Sequence, residues 1–156
     1  MIQPGQPIPE FLGYDLDGNP VDTTRFAGKP LIIYFYPKDN TPGCTAEACS
    51  LRDDNPRLSA LGYQIIGISK DSTASHRKFA EKHNLNFTLL SDPDTTVNQA
   101  FGVWQKKKMA GREYMGTVRT TFVTDANHRL THIIDKVNTK QAGAQLLSLL
   151  APDSSR

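Results

Sequence analysis

Tyr34-Phe35-Tyr36-Pro37-Lys38-Asp39-Asn40-Thr41-Pro42-Gly43-Cys44-Thr45-Ala46-Glu47-Ala48-Cys49 is the stretch on which the fold turns. Apolar and β-branched residues run into it from Leu31 to Tyr36, the pattern of a buried strand. Pro37 ends that strand, and a short polar loop follows. Thr41-Pro42 then opens a helix. Threonine is a good N-cap, and proline is favoured at the first helical position, where its missing N–H would be unsatisfied anyway. Cys44 therefore falls at the third helical position, among backbone N–H groups without an intrahelical partner and at the positive end of the helix dipole. Such a place favours the thiolate, the nucleophilic form of a thiol. The second and last cysteine, Cys49, lies five residues on.

Toward the N-terminus, residues 1–9 carry Pro4, Pro7 and Pro9 and are expected to lie extended over the surface. Phe11 to Leu16 and Val21 to Thr23 flank Asp17-Gly18-Asn19-Pro20, a hairpin turn. In the other direction the helix continues through Leu51 and meets Asn55-Pro56. There a lost donor and a crowding ring predict a kink or restart. Leu58 and Leu61 close the helix before Gly62. Tyr63 to Ser69 is a second buried strand. Asp71-Ser72-Thr73 caps a helix to about His83, with Phe79 facing inward. Asn86 to Leu90 is a third strand, and Asp92-Pro93-Asp94-Thr95 starts a short helix carrying Val97, Ala100 and Phe101. Lys106 to Arg112 reads as a basic, glycine-containing loop. Thr117 to Val123 and Leu130 to Ile134 form an antiparallel hairpin around Asp125-Ala126-Asn127-His128. Gln141 to Leu150 is a closing helix, and Pro152 to Arg156 a frayed tail. This order predicts an α/β fold, a mixed sheet with helices on both faces. Its chemistry belongs at the helix N-terminus just past the C-terminal end of a central strand.

A chain of 156 residues is expected to form one domain over 1–156 with a proper core. Its 38% hydrophobic and 22% charged residues describe an ordinary globular composition rather than disorder. A net charge of +2 gives no argument for nucleic acid or an anionic membrane, and no apolar run approaches the ~18 residues of a membrane-spanning helix. Met1-Ile2-Gln3-Pro4-Gly5-Gln6-Pro7 lacks the basic start and apolar middle of a secretory signal, so a cytoplasmic location is expected. In that setting a close cysteine pair is catalytic, redox-sensing or metal-binding. His76 and His83, and His128 and His132, lack the convergence a metal needs and are expected to be solvated. Lys106-Lys107-Lys108 beside Trp104 reads as a solvated loop. Phe35, Tyr36 and Trp104 either line the approach to Cys44 or belong to the core.

Five residues along a helix put the two cysteine Cα atoms roughly 8–9 Å apart, beyond the ~6.8 Å a disulfide tolerates. Cys44 and Cys49 therefore bridge only if the first turns unwind, and Gly43 and the Pro56 break make that opening cheaper. A thiolate meeting a peroxide becomes a sulfenic acid, which a second thiol condenses to a disulfide. The reaction asks for an exposed activated sulfur, which Cys44 supplies, and for nearby donors, among which Thr41 can place its hydroxyl one turn before the sulfur. It also asks for a cation that spacing alone does not identify.

Pro37-Lys38-Asp39-Asn40-Thr41-Pro42-Gly43-Cys44 resembles the proline, threonine and cysteine motif of peroxiredoxins. Thr41 to Cys49 is similar to the bacterioferritin comigratory protein branch, also called peroxiredoxin Q. The similarity runs from about Pro4 to Leu150 and includes Phe87-Thr88-Leu89-Leu90-Ser91-Asp92 and Phe101-Gly102-Val103-Trp104. It implies a thioredoxin-like fold with an N-terminal hairpin extension. It implies Cys44 as the peroxidatic cysteine and Cys49 as the resolving one, joined in an intramolecular disulfide. By the same resemblance Thr41 hydrogen-bonds the thiolate and the peroxide, and Pro37 shields the sulfur from water. Arg119 comes from a later strand to stabilise the thiolate, as a permanently charged fork of donors can, and Glu47 orients Arg119. The implied activity is reduction of hydrogen peroxide and organic hydroperoxides, recycled by thioredoxin or a similar dithiol, with no metal, haem or flavin. An intramolecular bridge asks for no second subunit, so a monomer is expected.

Three rivals remain open at this point, the third and most remote being a zinc-binding module, which the ligand count disfavours. A thioredoxin-type disulfide oxidoreductase would carry two residues between its cysteines, where this chain has four. A redox-sensing interaction protein would oxidise once and not turn over. In the blandest reading Cys44 and Cys49 are core residues, Thr41 is only a cap, Pro37 only ends a strand, Arg119 is an ordinary strand arginine and Glu47 a first-turn acid favoured by the dipole.

Overall fold

Five buried residues, Leu31–Phe35, organise the molecule because every side chain on them finds a core. Leu31, Ile33 and Phe35 enter one hydrophobic cluster. Ile32 and Tyr34, with Tyr36 just beyond, enter the other, as the two-residue period of a strand requires. The computed structural model describes residues 2–151; the expected frayed tail, Pro152 to Arg156, lies outside them. The strands are β1 (Phe11–Tyr14), β2 (Pro20–Asp22), β3 (Leu31–Phe35), β4 (Gln64–Ser69), β5 (Thr88–Ser91), β6 (Trp104–Met109), β7 (Arg112–Thr117), β8 (Thr120–Thr124) and β9 (Leu130–Ile134). The α-helices are α1 (Pro42–Ala60), α2 (Thr73–His83), α3 (Thr96–Phe101) and α4 (Ala142–Leu150).

One seven-stranded sheet has the order β2-β1-β5-β4-β3-β8-β9. β3, β4 and β5 run parallel, and the β1–β2 hairpin, β8 and β9 add antiparallel pairs. Residues of α1, α2 and α4 share the cluster of Tyr34, while Val97 and Phe101 of α3 share that of Phe35. The mixed sheet with helices on both faces is therefore as expected, and α1 begins past the C-terminal end of central β3.

Two segments depart from expectation. Lys106 to Arg112 is not a loop but the tip of a hairpin, β6 pairing with β7 from Trp104↔Thr117 to Met109↔Arg112. Ala110 and Gly111 both have positive φ, 51° and 81°, as a tight two-residue hairpin turn requires. The ribbon covers no core with most of its residues, so its sequence never alternates and hides its strands. Residues near the N-terminus do not simply cross the surface. The Gly5 and Ile8 amides donate to the Leu130 and His128 carbonyls at 2.7 and 3.1 Å, and Ile8 is buried in the core.

Pro56 lies inside α1, and the helix runs on over 19 residues without the restart that was one of the two expected outcomes. A proline at 56 leaves the carbonyl of residue 52 without its helical donor. Asn86 supplies one from outside: its Nδ2 donates to the Arg52 carbonyl at 3.1 Å, and Asn55 Nδ2 donates back to the Asn86 carbonyl at 3.0 Å. Pro56 is exposed, so its ring faces solvent rather than a packed neighbour. Replacing Asn86 by Ala is expected to cost about 1 kcal/mol in urea unfolding. In a Pro56→Ala background, where residue 56 regains an N–H for the Arg52 carbonyl, the same replacement is expected to cost measurably less. Equal costs in the two backgrounds would contradict this account.

Candidate active site

The chain leaves β3 through Tyr36-Pro37, turns at Asn40 with φ 62°, and enters α1 from an extended Thr41, φ −92° and ψ 152°. Asparagine tolerates the left-handed conformation better than most residues. Cys44 sits in the first turn with its side chain toward the sheet. It is 2% exposed, so the expectation of an exposed sulfur is corrected. The inward-facing first turn and the packed Tyr34 face cover it.

Arg119 closes the site. It lies in the two-residue connection between β7 and β8 rather than in a strand as expected. β8 pairs with β3 so that Thr120 faces Phe35, which brings the preceding residue to the end of β3 where α1 starts. Its guanidinium donates from Nη2 to Cys44 Sγ at 3.4 Å and from Nη1 to Glu47 Oε1 at 2.5 Å. Glu47 is three residues beyond Cys44 and therefore on the same helix face. A Cβ on Gly43 would stand 3.3 Å from Nη2, so the absent side chain leaves room for the guanidinium.

Glu47 is fully buried, and among the described residues its Oε2 has no hydrogen-bond partner. Burial pushes its pKa up to about 7, against the opposing pull of Arg119. Burial works against the Arg119 charge too, but Glu47 and the sulfur more than offset it, so the guanidinium is held more firmly protonated. The Tyr34 hydroxyl is also buried, with no hydrogen-bond partner among the described residues. Burial first, then Glu47 and Cys44, push its pKa well above the usual phenol value.

A second polar cluster anchors the loop before α1. Asp39 accepts from the Tyr36 hydroxyl at 2.7 Å, from Ser75 Oγ at 2.8 Å and from His76 Nδ1 at 2.7 Å. His76 is fully buried, which corrects the expectation that it is solvated. Its Nε2 lies 3.0 Å from the Leu90 carbonyl. Each ring nitrogen therefore faces an oxygen of the surrounding structure. Burial opposes the Asp39 charge, but His76, Tyr36 and Ser75 together hold its carboxyl below the ordinary range. The Asp39 amide donates to Asp71 Oδ2, which also accepts from Ser69 Oγ. Asp39, Asp71 and His76 bring ligand-type atoms within 4.8 Å of one another, a closeness these hydrogen bonds account for.

The other expected residues fall as follows. Thr41 is at the N-cap position but makes no side-chain cap bond; its hydroxyl donates instead to the Lys38 carbonyl at 2.8 Å. Pro37 is half-buried at the end of β3. Cys49 is a half-buried free thiol, and α1 is fully wound between the cysteines. Tyr36 shares the Cys44 cluster, Phe35 belongs to the opposite core, and Trp104 lies under Lys70 Nζ at 5.7 Å. Tyr34, Asp39 and His76 are site residues that the spacing of the sequence did not single out. Among the described residues no helix is long and apolar enough to cross a membrane.

The AhpC/TSA family profile matches residues 4–133. Peroxiredoxin Bcp of Escherichia coli strain K12 is 44% identical over 138 residues, 88% of each chain. Peroxiredoxin Bcp of Bacillus subtilis strain 168 is 43% identical over 155 residues, 99% of each chain. Among solved structures, the Xanthomonas campestris bacterioferritin comigratory protein, described for its alkyl peroxide reduction activity, superposes with a TM-score of 0.85 at 30% identity, covering 96% of this chain and 98% of its own. Peroxidoxin BcpB of Mycobacterium tuberculosis gives a TM-score of 0.84 at 31% identity, covering 98% and 99%.

The raised Glu47 pKa has a consequence for stability. The folded state keeps this proton in a range where the unfolded carboxyl, near 4.5, has lost it. The stabilisation is therefore complete below about pH 4.5 and disappears as pH rises through about 7. Glu47→Gln lacks this titration. Between pH 5 and pH 8 the wild type is expected to lose up to roughly 3 kcal/mol more unfolding free energy than Glu47→Gln, read from urea titrations at each pH. Parallel pH profiles would refute it.

Proposed function

The chain belongs to the AhpC/TSA family and, within it, to the Bcp peroxiredoxins, a thiol peroxidase with a thioredoxin-like fold, and on that premise we propose that Cys44 is the peroxidatic thiol and Cys49 the resolving one. The observation that carries this reading is the Arg119 guanidinium shared between Cys44 Sγ and buried Glu47. A fixed cation beside a sulfur in the first turn of a helix favours the thiolate from two directions.

In the first step the thiolate attacks one peroxide oxygen. The O–O bond breaks, Cys44 becomes a sulfenic acid, and the other oxygen departs as water or an alcohol after taking up a proton. Arg119 stands where charge develops on the departing oxygen. Thr41 serves as an acceptor: its proton is committed to the Lys38 carbonyl, so its lone pairs are available to a peroxide O–H. Pro37 covers the loop side of the pocket and limits water. Because Cys44 is buried, small or narrow substrates suit it, namely hydrogen peroxide and organic hydroperoxides.

In the second step the Cys49 thiol displaces the sulfenic oxygen as water and an intramolecular disulfide forms, which requires the start of α1 to unwind. Thioredoxin or a similar dithiol then reduces the bridge. The protein works as one thioredoxin-like domain, as a monomer, in the cytoplasm. It needs no metal, haem or flavin for this sequence of bonds.

Two measurements test the assignment. Mass spectrometry seconds after one equivalent of hydrogen peroxide is expected to find a loss of two hydrogens mapping to a Cys44–Cys49 bridge, whereas one added oxygen without a bridge would remove Cys49 from the mechanism. In a coupled assay with thioredoxin and its reductase, Cys44→Ser is expected to abolish turnover. Arg119→Met is expected to lower kcat/KM for peroxide by about 100-fold; retention of near wild-type kcat/KM would rule Arg119 out as the stabilising cation.

A further inference from the structure

The peroxide step leaves one contact unused. Cys49 Sγ lies 3.9 Å from Nδ1 of His83, the last residue of α2. Both residues are half-buried, and the His83 ring stands edge-on to Phe79 with centroids 5.1 Å apart. The backbone on either side of this contact is tied down. Arg52, one turn beyond Cys49, donates from Nη1 to the His83 carbonyl at 2.7 Å. Asn55 Nδ2 donates to the Asn86 carbonyl and to Asn86 Oδ1 at 3.0 and 3.1 Å, and Asn86 Nδ2 donates to the Arg52 carbonyl at 3.1 Å. These four bonds clasp the middle of α1 to the segment 83–86.

We infer that His83 is a catalytic residue of the resolving step, taking the proton of the Cys49 thiol as Cys49 attacks the Cys44 sulfenic acid, and that the clasp keeps Cys49 at His83 while the first turns of α1 unwind. The inference rests on the proposed roles of Cys44 and Cys49.

Only a thiolate attacks sulfur, and a free thiol near neutral pH is mostly protonated. An imidazole is the side chain best matched to accept a proton in that range, and here it is already within reach of the thiol. The bonds balance. The S–H bond of Cys49 breaks and its proton passes to Nδ1. The Cys49 sulfur pair forms the S–S bond, and the S–O bond of Cys44 breaks. The oxygen leaves as water, taking up the proton that His83 holds, so the imidazole ends as it began. No outside oxidant enters beyond the peroxide already consumed.

The clasp decides which end moves. Pro42, Gly43 and Cys44 form the open end of α1, held to Arg119 through the sulfur and Glu47. Conversion of the thiolate to a neutral sulfenic acid removes the charge that draws Arg119 to the sulfur. Residues from Arg52 onward stay pinned. Unwinding confined to the turns before Arg52 brings Cys44 to Cys49 without taking Cys49 from its base.

The test uses the full chain as wild type, His83→Ala and His83→Gln. Each is mixed with one equivalent of hydrogen peroxide, acid-quenched over time and read by mass spectrometry. Sulfenic acid is expected to form on Cys44 in all three, with bridge formation slowed about tenfold or more in both variants. In excess peroxide the variants are expected to accumulate Cys44 sulfinic acid. Glutamine can hydrogen-bond but not accept the proton, and added imidazole is expected to restore bridging in His83→Ala while leaving the wild type unchanged. Bridging at the wild-type rate in the variants, or a slow His83→Ala that imidazole does not move, would overturn the role of His83 alone. A wild type that gains one oxygen and never bridges would instead remove Cys49 as the resolving thiol. Hydrogen exchange of the oxidised protein is expected to lose protection over 45–51 and keep it from Leu58 onward; loss running through Leu58 would overturn the clasp.

Discussion

The buried Glu47–Arg119 pair is the interaction on which the site depends. A carboxylate without water costs several kcal/mol unless a partner offsets it, and Glu47 is fully buried with one oxygen unpartnered. Its only salt-bridge partner among the described residues is Arg119, 72 residues away along the chain. The antiparallel register of β8 on β3 brings the two together. The same guanidinium then has a second nitrogen to spare for Cys44 Sγ. The fold thus orders Arg119 once and gives it two partners, a buried acid and the Cys44 sulfur.

In the proposed cycle the first turns of α1 serve two opposing ends. Wound, they present Cys44 to Arg119 and supply the helix terminus that favours a thiolate. Unwound, they let Cys44 and Cys49 approach to disulfide distance. A helix able to do both needs a boundary, or melting would spread into the core through buried Leu58. The hydrogen bonds between Arg52 or Asn55 and the 83–86 segment provide one. Pro56 sharpens it: the carbonyl it orphans is the one Asn86 caps, so helix continuity there is specified by tertiary contact rather than by the helix's own ladder.

Much of this was legible along the chain, and what was not has physical reasons. Leu31 to Tyr36, Pro37 and Thr41-Pro42 identify a buried strand feeding a helix because each carries a local stereochemical preference, and Cys44 follows by helical spacing, whereas Glu47 was singled out only by the family resemblance. The unbroken α1 was not legible, since the compensation for Pro56 comes from Asn86, 30 residues later. The β6–β7 hairpin was hidden because Lys106, Lys107 and Lys108 occupy a ribbon with little core to cover, and periodicity reports burial rather than strands as such. His76 looked like a surface histidine, for nothing local shows that Asp39 and the Leu90 carbonyl surround it. Arg119 came only with the family resemblance, because the register of two strands far apart in sequence decides where it points.

Two buried polar pairs bracket the thiol from opposite sides. Glu47–Arg119 fixes the helix side, and Asp39–His76 fixes the loop side. Between them Tyr34 and Tyr36 stack with centroids 5.3 Å apart on the same face of the β3 segment. The Tyr36 hydroxyl belongs to the Asp39 network, and the Tyr34 ring packs in the cluster of Cys44. Reacting groups must be held to within about 0.5 Å for efficient chemistry, and a short loop with Asn40 in the left-handed region has no ladder of its own to hold it. Its position comes from side chains of α2 and the β4–α2 connection. Loop geometry and helix electrostatics are therefore set by separate buried networks, so the helix loosening that the proposed disulfide requires would leave Pro37 to Asp39 anchored by the Asp39 network.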